Sequence, residues 1–462
     1  MKTRSTKILV FVVVALAALF FYVERRRPTT REKDEKLFSL VEWEKSRITG
    51  MDITNGETVI QLRKKAERWV LIKPVEDRAN SAMIEPILQA AANIGRFSVI
   101  GNLGKGSKLR DKQKDYGVQK GKVRLKLLGE GAPDEIHFGK DTAFEGKIYA
   151  RLASDDVISV VKSDLRNLLI KDADDFRDKH LTALENDRVT QVKIKTAAGE
   201  IVLKKSGDSW DIIAPIKARA ADERILDLIS NINQIPVEEF VTPEEGNLAK
   251  YGLAEPLGYI SLSEDDENEE TIQIGSPLEK DASKITIRVV GRPSVFVVPK
   301  DIGVALGVKP NDLRDNKLTR VPPDLLDRIT IDKAGQPPIV LQREQDNWKF
   351  LEDNQPANAA EVKRLIDVLN NTEAKSFVDD TPADVKSYGL EQPVLTIRLS
   401  SYSSENTAES ARGEKPLATI QFGATEGESV YARLLEEPFV ISVGAGVLTN
   451  LPTTSAAFRK AP

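Results

Sequence analysis

Two histidines, no cysteine and 71 Asp/Glu residues are the raw material for chemistry in this 462-residue sequence. Without cysteine there are no disulfides, thiolate metal sites or thiol nucleophiles. His137 and His180 lie far apart with no further histidine, so they do not supply the ligand set of a zinc site. The acidic run Asp265-Asp266-Glu267-Asn268-Glu269-Glu270 has oxygen ligands to offer a hard cation. A calcium loop starting at Asp265 needs glycine at its sixth position, however, and Glu270 stands there; the run reads as a solvated hairpin loop. Gly101-Asn102-Leu103-Gly104-Lys105-Gly106-Ser107-Lys108 has the composition of a phosphate loop but the wrong order, serine before lysine. It reads as a flexible loop outside any strand–loop–helix context. No Gly-x-Ser-x-Gly nucleophile elbow occurs. What remains is a recurring arginine, at Arg151, Arg288 and Arg433, suited to bidentate recognition of carboxylate or phosphate and equally to a repeated internal ion pair. These three are the binding candidates; no catalytic, cofactor-binding or metal-ligating residue is assigned.

The elements that would position these residues come in threes. Trp69, Trp210 and Trp348 each follow a strand-like segment. Each is followed by a ladder with the spacing of a core-facing helix: Ile84/Ile87/Leu88/Ala91, Ile225/Leu228/Ile229/Ile232 and Val362/Leu365/Ile366/Leu369. Asn80, Asp222 and Asn358 stand upstream as expected N-caps. A tyrosine–glycine turn follows at Tyr116-Gly117, Tyr251-Gly252 and Tyr388-Gly389, with Phe97, Phe240 and Phe377 at related places between ladder and turn.

Period-2 strands come next: Ile136–Gly139, Ile272–Gly275 and Ile420–Gly423, then Ile148–Arg151, Ile285–Arg288 and Val430–Arg433, each set closed by a β-rich run. His137 aligns with Gln273 and Gln421, a slot that glutamine fills twice, which places it on a strand's polar face rather than as a base. The fold expected is α+β: three β-rich units with antiparallel sheets, at residues 45–184, 185–320 and 321–462, each long enough for its own core. Ser400–Gly413 reads as an inserted polar loop in the third.

Residues 1–7 form a short basic tail and Ile8 to Val23 a 16-residue apolar run. As a helix such a run spans about 24 Å, short of a hydrocarbon core but usable with snorkelling by Lys7 and Arg25. It is expected to be a transmembrane signal anchor, followed by a charged linker over residues 24–44. Basic residues flank it on both sides; the signal-anchor layout favours a single-pass inner-membrane protein with its bulk in the periplasm. Residues 1–33 hold eight Lys/Arg and two Asp/Glu, leaving 59 and 69 for the rest, so the body carries a net charge of −10. An acidic body lacks the basic footprint of a nucleic-acid binder.

The apolar N-terminus, Trp210 with Pro215, the ladder from Ile225, Leu248-Ala249-Lys250-Tyr251-Gly252-Leu253-Ala254-Glu255-Pro256, the strand Ile272–Gly275 and the second turn Val385–Pro393 together resemble the bacterial family called domain of unknown function 4340. The first copy departs from it, with no proline after Tyr116-Gly117-Val118. The resemblance implies genes beside export-type ABC transporters and gliding-motility-like components, and carries no catalytic residues. The expected function is therefore a membrane-anchored, non-enzymatic binding or scaffold protein whose partners are ABC transporter subunits or an envelope polymer, with no cofactor. An envelope hydrolase using carboxylates between repeats, or a glycan or small-ligand binder, is the alternative.

Overall fold

Alternating apolar and polar residues call for a sheet dry on one face and wet on the other, and the computed structural model of the chain contains three such sheets. It describes residues 40–459, apart from 42, 101–105, 243–246, 265–267, 346 and 403–413. The expected anchor at Ile8–Val23 and most of the linker lie outside the described residues. Among the described ones no helix is long and apolar enough to cross a membrane.

The first sheet consists of β1 (Ile48–Asn55), β2 (Thr58–Lys65), β3 (Arg68–Lys73), β4 (Asp77–Arg78), β5 (Arg96–Ile100), β6 (Val123–Gly129), β7 (Ile136–Asp141), β8 (Lys147–Leu152) and β9 (Ile158–Lys162). Their order is β4-β3-β2-β1-β6-β7-β8-β9-β5, with antiparallel pairing throughout. Register follows the apolar pattern: Met51 faces Leu62 on one side and Leu127 on the other, and Ile53 faces Ile60 and Leu125. The second sheet repeats this nine-strand order between its first strand, Gln191–Thr196, and its last long strand, Val295–Pro299. The third has eight strands; a single bridge between Lys349 and Pro356 stands where β4 would be.

A helix lies on the dry face of each sheet, at Ser81–Ala92, Asp222–Gln234 and Ala359–Asn371, and its buried residues are the four of each ladder. Each such Leu or Ile withdrawn from water contributes about 1.5–3 kcal/mol, which is why the ladder fixes the helix's rotation. Asn80 and Asn358 cap as expected, each Oδ1 accepting from the amide two residues on at 3.1 Å. Asp222 does not: Ala221 holds the N-cap place, and Asp222, the first helical residue, instead accepts the Trp210 backbone amide at 2.7 Å. A methyl side chain cannot cap, so the carboxylate one position later ties the helix start to the strand before it.

Each repeat ends with an arginine bridged to the residue before the crossing helix's cap region: Ala79 with Arg177, Ala220 with Arg314, Ala357 with Arg459. The repeats do not make three separate bodies. One compact unit holds the described residues up to Lys179 with the turn Gly291–Ser294; the other holds the rest of the second repeat and the third together. Within that second unit, Ala218 and Ile216 of the second repeat belong to the apolar core of the third.

Candidate functional site

The three recurrent arginines sit at one register position, each opposite the residue expected from the repeat: Arg151 opposite His137, Arg288 opposite Gln273, Arg433 opposite Gln421. The fold places them on three different sheets and does not bring them together. Arg151 is buried and donates to the carbonyls of Val118, Leu152, Ala153 and Asp155 at 3.0–3.3 Å. Burial pushes its guanidinium below the ordinary arginine value, against the nearby carboxylates of Asp156, Asp155 and Glu135. Arg433 donates from Nε to Gln421 Oε1 at 2.9 Å, and Arg288 is half-buried. His137 is buried, with Nε2 2.8 Å from Glu135 Oε2 and Nδ1 3.3 Å from the Val118 carbonyl oxygen. These contacts are those of strand-locking groups.

Two sequence readings change. Of the Gly101–Lys108 segment, residues 101–105 lie outside the described residues, while Ser107 and Lys108 open the helix Ser107–Asp115; the residue order remains wrong for a phosphate loop. Of the acidic run, Asp265–Glu267 lie outside the described residues, while the exposed Glu269 and half-buried Glu270 make structural contacts. Glu269 accepts from Lys193 Nζ at 2.6 Å, which outweighs its partial burial and lowers its pKa; Glu270 accepts the Ala183 amide at 3.1 and 3.2 Å. Among the described residues no group of three or more His, Cys, Asp or Glu is placed to hold a metal ion.

Two ionic clusters went unrecognised in the sequence. In the first compact unit Asp77 accepts from Arg177 Nη2 and Nε at 2.7 and 2.9 Å and from Arg292 Nε and Nη2 at 2.8 and 3.0 Å, with all three side chains at most 5% exposed. Burial raises the Asp77 carboxyl's pKa, but the hydrogen bonds and charges of Arg292 and Arg177 win and hold it below the ordinary value. In the second unit Arg219 lies 3.4 Å from Glu437, 3.6 Å from Asp315 and donates to the Lys317 carbonyl at 3.1 Å. Here burial wins: Glu437 is pushed up, opposed by Arg219 and assisted by Asp211.

One feature that breaks the threefold likeness is a groove of about 630 Å³ in the second repeat, between the helix Asp222–Gln234 and the segment after the last long strand. Leu228, Ile232, Ile235, Ile302, Ala305 and Val308 line it, and Arg224, Asp227, Asp301 and Asp312 stand at its rim. No insertion makes it, because the closing arginine follows the last long strand by 15 residues in every copy. What differs is side-chain volume and helical form. The first repeat has the α-helix Asp164–Leu169, with Leu165 and Leu169 buried and Leu168 packed on the core. The second has the 3₁₀ segment Lys300–Gly307, with Ala305 at the count where Leu168 stands, and Val304 left 72% exposed. Losing a leucine's bulk against a helix leaves space that the close packing of an interior otherwise excludes. Ala305 is the signal in the sequence, a small residue where the first copy has Leu168.

A family model described as Domain of unknown function (DUF4340) matches this chain three times, at residues 69–213, 210–355 and 348–461. Each match starts at one of the three tryptophans, so each frame begins in the third strand of one sheet; the first ends in the third strand of the next sheet, the second just past that strand, and the third at residue 461. No curated protein matches the chain, and no solved structure does.

Proposed function

We propose, from the premise that this chain belongs to the family described as a domain of unknown function (DUF4340), that it is a non-enzymatic binding and assembly protein. On this reading it is tethered to the bacterial inner membrane by Ile8–Val23 and holds its three β-rich units in the periplasm. Its groove in the second repeat takes an apolar segment of a membrane partner, and the partner class we favour is the subunits of an export-type transporter. The observation that carries the reading is the groove itself: it is a place where the second copy departs from the first, and its lining is apolar. Three carboxylates against one guanidinium at its rim favour an occupant whose apolar residues are flanked by lysine or arginine.

The test is a photo-crosslinking side chain placed at Val304 in the full chain, in cells, with a second chain carrying it at Val394, 42% exposed in the third repeat, as control. A discrete adduct with a membrane protein from Val304 alone is expected. No adduct from Val304, or the same adducts from both positions, would overturn the reading. The alternative of a hydrolase has no comparable observation: its site would need carboxylates converging in a cleft, and the carboxylates at this rim are spread around an apolar floor.

A further inference from the structure

The closing arginine of each repeat has a different fate. Arg314 is 1% exposed, because the third repeat covers it: the Phe377 ring lies 3.9 Å from its guanidinium carbon, the Phe439 ring 4.4 Å, and Asp380 accepts from Nη1. Its Nε and Nη2 are buried without a hydrogen-bond partner among the described residues, so the rings are what meets them. Arg177, in the first compact unit, is 2% exposed and donates to Ser294 Oγ at 2.8 Å. Counting from the strand arginines, Ser294 occupies the same turn position as Phe439, six residues after Arg288 and Arg433. Arg459 has no such cover. Its side chain is 39% exposed, stacked 4.4 Å from its own repeat's Phe350 and paired with Glu352 and Asp353.

The first repeat carries the complementary open face. Phe240 pairs with Phe296 and Phe377 with Ile441; Val99, paired with Ser159, is their counterpart by register. Phe97, grouped with Phe240 and Phe377 by sequence, lies two residues earlier on the same strand. Val99 is 47% exposed and Phe97 48%, and Lys147 already lies over the Phe97 ring at 4.4 Å, so this face accepts a cation. The turn six residues after Arg151 is Asp155-Asp156-Val157, aligned with Glu437-Pro438-Phe439. In the second compact unit that latter turn sits against Lys217, Ala218 and Arg219. The equivalent place in the third repeat is an open hollow of about 710 Å³ beside Trp348, Lys349, Pro356 and Ala357.

We propose that copies of this chain associate head to tail. The third repeat of one copy takes the acidic turn Asp155–Val157 of the next, and Arg459 covers Val99 and Phe97 as Arg314 covers Phe377. The contact continues, between chains, the junction that the second and third repeats make within one. It joins two different surfaces, so it is heterologous and open-ended. It stands apart from the groove, and each can fail without the other.

The absence of cysteine allows a direct test in the full chain. Asp156→Cys and Gln355→Cys both replace exposed residues, one on each face. With a short bismaleimide, a mixture of the two variants should give a covalent dimer that neither gives alone, and a chain carrying both should give a ladder of higher oligomers. Adding Arg459→Glu to the Gln355→Cys chain should abolish the dimer. Cross-linking of one variant with itself, no dimer in the mixture, or a dimer indifferent to Arg459→Glu would overturn the proposal. A mixture in which membrane vesicles protect Asp156→Cys from the reagent, again with no dimer, would assign the first repeat's open face to lipid instead.

Discussion

Asp77 pairs with two guanidinium groups in a buried place, and its loss removes the carboxylate that both of them face. Breaking a buried pair by removing one partner costs about 3–5 kcal/mol, so Asp77→Asn should lower the first unit's stability by that order in urea titrations. The pH dependence has a definite sign. The folded Asp77 carboxyl titrates below its unfolded value of 3.8, so its contribution is fully present above that value and is lost as pH falls through the lower, folded one. The Asn variant should lack that acid-side loss; a wild-type-like acid limb would contradict the assignment. Glu437 has the opposite sign, its folded pKa being raised above 4.5. Protonation favours the folded form, and its contribution disappears as pH rises through the folded value. None of this was legible beforehand: Asp77 and Arg292 are 215 residues apart, and neither recurs in the other copies. Repetition reveals what copies share and conceals what joins them.

The elements were the most legible scale. The crossing helices follow from their ladders, and the strands from alternation, because burial on one face imposes the periods that a sequence displays. The tyrosine–glycine turns show how far this reaches. Gly117, Gly252 and Gly389 have φ of 74°, 66° and 68°, the left-handed conformation that the turn requires. The glycine within the second strand after the turn answers to a different constraint. A Cβ on Gly139, Gly275 or Gly423 would lie 2.2–2.3 Å from the carbonyl oxygen of the turn's tyrosine. Gly423→Ala must therefore push the turn off its strand, at a cost of about 1–3 kcal/mol. Substituting Asn at Gly427, whose φ is 58° with open space around it, should cost far less. Thermal unfolding of the two variants decides: equal destabilisation would contradict the close approach. The edge strands β5, Glu239–Val241 and Ala374–Asp379 were not foreseen, since they are short and two of the three lack clean alternation. Missing them is why Phe97 was aligned where Val99 belongs.

For the whole molecule, triplication explains both the order in the sequence and its silence about chemistry. Arg151, Arg288 and Arg433 recur because the fold recurs, and they are held on separate sheets. The groove was hidden for a related reason: a small residue, Ala305, opens it, and a small residue leaves no pattern until a sister copy shows what is missing. That contrast supplies the sharpest test. Ala305→Leu restores at the groove the residue type that Leu168 provides in the first repeat, filling space rather than opening it. In the full chain carrying the photo-crosslinking side chain at Val304, we expect Ala305→Leu to leave the unfolding midpoint unchanged or raised and to abolish the membrane-protein adduct. Undiminished adduct formation in a chain that folds normally would contradict the claim that this protein's function resides where its second copy departs from the others.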